Sequence, residues 1–211
     1  LGVVIFKPQF FPLLPLALMA LQQGKALRGM IASATLMVLA SVALFGTALW
    51  QDWINVYLHP QMVAGVNGTD WGHSWDESVS TCVALLGAPH WLATAAQMLA
   101  ASFAIVSVWW AFQTRHSGRL PILLCAAVLA SPHVSNYDLL MPGVAALLLV
   151  RALPGEARPL ALILPLAVWM AALYNPPRVM PLGLITPLLL LGLIWAFYRG
   201  SGTPKPLPSK G

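Results

Sequence analysis

The 211-residue chain is 59% hydrophobic and only 8% charged, which excludes a soluble domain of this size because too little polar surface remains to meet water. Its formal charge of +5 comes from Lys and Arg scattered singly rather than clustered. That pattern excludes a nucleic-acid surface and turns the excess of cations into a topology signal.

The expected fold class is all-α, a polytopic helical membrane protein, because the apolar runs are far longer than barrel strands and lack their alternation. The runs place seven spans near residues 8–24, 30–50, 90–113, 120–132, 138–153, 159–174 and 180–198. Residues 1–199 then form one membrane domain, and the Pro-, Ser-, Gly- and Lys-containing tail 200–211 reads as a disordered cytoplasmic end. The chain opens on Leu1 inside an apolar stretch, without an initiator Met or a signal-peptide n-region, so it is expected to be the C-terminal part of a longer protein. No internal repeat is visible.

Taken in order, the first span begins at Phe6-Lys7-Pro8-Gln9, where one ammonium and one amide flank a bend-inducing proline. Lys7 can pair with a lipid phosphate as a point charge, or simply snorkel to the interface and anchor the helix. Lys25 and Arg28, Arg115 and Arg119, Arg151 and Arg158, and Arg199, Lys205 and Lys210 all fall on one side of a seven-span arrangement. Cations collect in cytoplasmic loops, so that side faces inward, and only Lys7 and Arg178 lie opposite.

The long loop from about Gln51 to Pro89 holds Asp52, Asp70, Asp76 and Glu77 but no Lys or Arg, and is expected to face outward. Within it, Asp70-Trp71-Gly72-His73-Ser74-Trp75-Asp76-Glu77-Ser78 offers carboxylates, an imidazole and two indoles. Trp71, His73 and Trp75 can stack on a sugar or acceptor and bond its hydroxyls; a solvated loop with interfacial tryptophans explains them equally. Asn67-Gly68-Thr69 is a sequon that matters only in a glycosylating compartment, and otherwise a turn.

The run 120–132 is only about 18 Å long at 1.5 Å per residue, so it is expected to stop at a cavity. Ser131-Pro132-His133-Val134-Ser135-Asn136-Tyr137-Asp138 follows it. Such a break at membrane depth exposes polar groups, and Ser131, His133, Tyr137 and Asp138 are candidates to line the cavity. The local alternative is that Asn136 or Asp138 caps the next helix, accepting from N–H groups two or three residues on. Tyr174-Asn175-Pro176-Pro177-Arg178 reads as an outer turn. Cys82, in the polar loop, and Cys125, in an apolar run, read as two unpaired thiols. No metal site or cofactor is expected: HExxH, CxxC, GxSxG and phosphate-cradling Gly-rich patterns do not occur.

Several of these stretches, in order, resemble glycosyltransferase family 87, a group of multi-span C-type enzymes. They are Phe6-Lys7-Pro8-Gln9 with Gly24-Lys25-Ala26-Leu27-Arg28 as a short basic turn, Leu44 to Trp53, Trp71 and Ser78, Leu85 to Pro89 with Gln97, and Ser131-Pro132 with Tyr137-Asp138-Leu139. The likeness runs over residues 1–153. It implies transfer of a sugar (mannose, another hexose or a pentose) from a polyprenyl phosphate donor to a lipid or glycan acceptor on the outer face of the plasma membrane, with inversion. In such enzymes the base is an acidic residue of the first outer loop, which no residue of this chain matches, so the chain alone is expected to be inactive. With that resemblance, Lys7 and Gln9 are expected at the donor phosphate, and His133 in support of the proton transfer. A transporter or a non-catalytic membrane scaffold is the alternative, although a transporter should show paired interrupted spans and only one break, near Pro132, is visible.

Overall fold

The computed structural model describes residues 12–58, 77–152, 186, 188–192 and 194. These form α1 (Leu13–Ala20), α2 (Gly24–Leu58), α3 (Val79–Leu85), α4 (His90–Gln113), α5 (Arg119–Ala130), a 3-10 turn (Asn136–Leu139) and α6 (Leu140–Ala152). No strand occurs among the described residues, as the all-α expectation requires.

The seven expected spans are met only in part among the described residues. Two helices, Gly24–Asp52 and His90–Gln113, have the length and apolarity to cross a membrane. Their most apolar windows are only 11% and 28% buried by protein. By contrast α1, α5 and α6 have 8, 12 and 13 residues, too few for about 30 Å of hydrocarbon at 1.5 Å per residue. The expected span 138–153 is split between the 3-10 turn and α6. The span 159–174 and the tail 200–211 lie outside the described residues, and the described positions between 186 and 194 are helical.

Three connections close by the same backbone device. After α1, Gln22 N–H donates to Met19 O at 2.9 Å and Gln23 N–H to Leu18 O at 2.9 Å. After α3, Gly87 and Ala88 donate to Ala84 O and Val83 O. After α4, Arg115 and His116 donate to Phe112 O and Ala111 O. Each is a Schellman closure, in which a left-handed residue lets the chain satisfy the last carbonyls. Gly87 takes that conformation freely at φ 87°, whereas Gln22 and Arg115 hold it at φ 56° and 54° with a Cβ.

Helix α2 starts at Gly24, so the expected basic turn Gly24–Arg28 is already helical, with Arg28 Nε donating to Gly24 O at 3.3 Å. Gly46 breaks α2 at φ 80°, ψ 171°, a region open essentially to glycine alone. The chain bends enough there for Trp50 Nε1 to donate to Ser41 Oγ at 3.2 Å. Beyond the bend it remains helical to Leu58, and Val79–Leu85 is helical as well, so both ends of the expected outer loop are helix. Cys82 accordingly sits in α3 rather than in a loop, and both Cys82 and Cys125 are free thiols.

The core is built around α4, which packs on α1, α3 and α5, while α5 packs on α6. Its buried face reads Ala93, Gln97, Ala104, Ser107, Val108, Ala111 and Phe112, and the small residues among them let helices approach closely. Opposite them lie Ile122, Cys125, Ala126 and Leu129 of α5. Cys125 Sγ donates to Thr186 O at 3.4 Å, which ties the 186–194 positions to α5.

At the α4–α5 turn, His116 Nδ1 accepts from Gly118 N–H at 3.1 Å, and the ring lies 5.0 Å from that of Trp110. Burial pushes the imidazole below its usual pKa. The neutral ring is also the form with an acceptor lone pair at Nδ1.

Candidate functional site

The start of α4 and the end of α5 meet two polar stretches, and the cluster they form is the candidate site. Helix α5 ends inside the protein: Ser131, its C-cap, is 1% exposed. A buried helix end needs donors for its last carbonyls, and they come from one side chain. Gln97 Nε2 donates to Leu129 O at 3.2 Å and to Ser131 O at 3.1 Å, while Gln97 Oε1 accepts from Ser80 N–H at 3.2 Å. Rotating the amide by half a turn would set its oxygen against two carbonyls, so the network fixes its orientation. Without it, two carbonyls and one N–H would be left buried, at about 1–3 kcal/mol each.

The first polar stretch, Glu77–Ser80, leads into α3. Ser78 is its N-cap, its Oγ accepting from Thr81 N–H at 3.3 Å and lying 3.0 Å from Ser80 Oγ. Such caps are worth about 1 kcal/mol. Glu77 is 6% exposed, and its N–H donates to Val134 O at 2.7 Å. That bond joins it directly to the second stretch.

The second stretch is Ser131–Asp138. Ser131 Oγ donates to His133 O and accepts from His133 N–H at 3.2 Å, which folds the chain around Pro132. Asp138 is 3% exposed; its Oδ2 accepts from Ser135 N–H at 3.1 Å, and its N–H donates to Ser135 O at 2.8 Å. The carboxylate therefore reaches back three residues, as the third helical residue of a capping box does. For Asp138 this differs from the expected forward cap: the 3-10 turn begins after Ser135, and Asp138 serves that earlier N–H.

The candidate residues thus divide. Ser131 and Asp138 are buried in the cluster, His133 is exposed at its edge, and the backbone of Tyr137 lies in the 3-10 turn. Lys7, Gln9, Trp71, His73 and Trp75 lie outside the described residues. Glu77, part of the expected outer-loop stretch, and Gln97, part of the family resemblance, are members to which the sequence reading gave no individual role. Each carried a signal: Gln97 is a lone amide among apolar neighbours in α4, and Glu77 precedes the Ser78 cap. Two buried carboxyl groups, three hydroxyls and an exposed imidazole can together orient a polyol and accept or deliver a proton.

A family model described as glycosyltransferase family 87 matches residues 1–132. The chain belongs to glycosyltransferase family 87. The membership makes it a glycosyltransferase and, with the two long apolar helices, points to a membrane protein. No curated protein and no solved structure matches the chain. In this glycosyltransferase the family match takes in Glu77, Ser78, Gln97 and Ser131. It ends before His133, Tyr137 and Asp138; of that stretch, His133 is bonded to the matched Ser131 and Val134 to the matched Glu77.

Proposed function

We propose that this family 87 protein moves a hexose or pentose from a polyprenyl phosphate to a lipid or glycan acceptor at the outer face of a plasma membrane, as a multi-pass enzyme. The observation that carries the reading is the buried polar cluster at the interrupted end of α5, where polar groups at membrane depth need a function to offset their burial. In the reaction the acceptor oxygen attacks C1 of the sugar, the C1–O bond to phosphate breaks, and the polyprenyl phosphate departs with the electron pair. The configuration at C1 inverts. The acceptor proton passes to an acidic base, a role that the family resemblance assigns to no residue of this chain. Lys7 stabilises the charge growing on the leaving phosphate, with Gln9 beside it. His133, Ser131, Tyr137 and Asp138 line the acceptor side, and Trp71, His73 and Trp75 contact the sugar or acceptor from the loop. No cofactor takes part.

The test is sugar transfer from radiolabelled polyprenyl-phosphate sugars by membranes holding the intact protein. Lys7→Ala and His133→Ala are each expected to slow transfer by about 100-fold or more. Full activity in both variants would overturn the residue assignment. Absence of transfer from every such donor would overturn the reaction and favour a transporter.

A further inference from the structure

The segment before α3 and the turn after α5 are far apart in sequence, yet both belong to the site proposed above, and neither is covalently or helically fixed to the other. At least two links join them. One is the Glu77 N–H to Val134 O bond at 2.7 Å. Another is Gln97, 7% exposed on α4, which holds Ser80 N–H with its oxygen and the carbonyls of Leu129 and Ser131 with its nitrogen. The geometry demands an acceptor on one side and two donors on the other, at the reach of a three-carbon arm. Among side chains only glutamine answers this at that length: asparagine is one methylene shorter, and an ionised glutamate keeps the acceptor but has no donor.

We propose that Gln97 is a positioning residue for glycosyl transfer, locking Glu77–Ser80 onto Ser131–Asp138 so that the two stretches work as one site. The residue touches backbone and acts through what it holds. Ser80 N–H sets the register of Ser78 and Glu77, and Ser131 O sets the start of the turn that carries His133 and Asp138. A helix backbone is a rigid base for such a joint, and displacement of a reacting group by about 1 Å is enough to cost on the order of 100-fold in rate. The inference rests on the glycosyl-transfer reading above, but the joint itself is measurable without it.

The experiment compares wild-type protein with Gln97→Met, which keeps length without polarity, and Gln97→Glu, in detergent and in membranes. Amide hydrogen exchange is expected to accelerate together in peptides covering Ser78–Thr81 and Ser131–Asp138 of Gln97→Met, with the Thr114–Gly118 turn unchanged. Transfer by the folded fraction is expected to show kcat lowered about 100-fold and KM for the polyprenyl-phosphate donor nearly unchanged. Gln97→Glu should regain part of that rate as pH falls, because a protonated carboxyl can again donate to one carbonyl. Unaltered exchange in both segments would overturn the joint whether or not transfer is detected. Altered exchange with wild-type kcat and pH profile would overturn the positioning role and leave the glycosyltransferase reading intact. Wild-type protein that transfers from no polyprenyl phosphate would sink that reading instead, and with it the catalytic part of the inference.

Discussion

The two ends of the α4–α5 pair are closed by different chemistry. At the Thr114–Gly118 end the backbone closes on itself in a Schellman motif, with His116 Nδ1 taking up Gly118 N–H. At the other end, about 24 Å along α4 by helical rise, one amide side chain serves three backbone groups from two distant segments. A connection made from neighbouring residues tolerates substitution because its bonds are local. A joint made through one side chain loses every bond at once.

The largest expected effect breaks that contrast at the joint. Gln97→Ala should lower unfolding stability by several kcal/mol, since about 1–3 kcal/mol attends each orphaned group, whereas Thr114→Ala should change it by less than about 0.5 kcal/mol; denaturant or thermal unfolding in detergent measures both. Between the two ends, Ala104→Leu is expected to force α4 away from its neighbours at a position with no exposed surface, costing about 1–3 kcal/mol by overpacking in the same assay. At the turn the sign reverses. Arg115→Gly should stabilise by about 1 kcal/mol, because it removes a Cβ from a left-handed residue while keeping the closure.

The smallest effect depends on pH. The folded His116 pKa lies below the ordinary 6.5, so on acidification the unfolded chain binds the proton first. The turn's contribution is complete above that ordinary value and declines as pH falls from it toward the folded pKa. His116→Phe should flatten this part of the melting-temperature profile, and an unchanged slope would show that another group sets it.

The sequence carried the apolar stretches better than the helix ends. The limits of α4 are those expected, 90–113, because Pro89 and the polar Thr114-Arg115 pair mark both chain direction and membrane edge. Elsewhere those two boundaries separate. Lys25 and Arg28 mark the edge of the hydrocarbon but are good helix formers, so α2 begins at Gly24 and not beyond them. Asp52 and Asn55 are helical as well, although both are weaker helix formers. The site shows a similar division. Ser131 and Asp138 were legible because Pro132 announces a break, whereas Glu77 and Gln97 gain meaning only through partners 57 and 34 residues away.

The glycine break in α2 has a consequence for where the membrane surface lies. Wherever a helix is interrupted, backbone groups on both sides lose their intrahelical partners, and hydrocarbon cannot replace them. In a membrane, Gly46 is then expected where protein, headgroups or water can take up those groups. From Gly24 to Phe45 the first arm of α2 is about 33 Å long at 1.5 Å per residue, close to the roughly 30 Å of a hydrocarbon core. On a membrane reading the arm is a ruler: its kink is expected near the height at which lipid gives way to water, and the indole of Trp50, bonded to Ser41, folds back along the arm from that height.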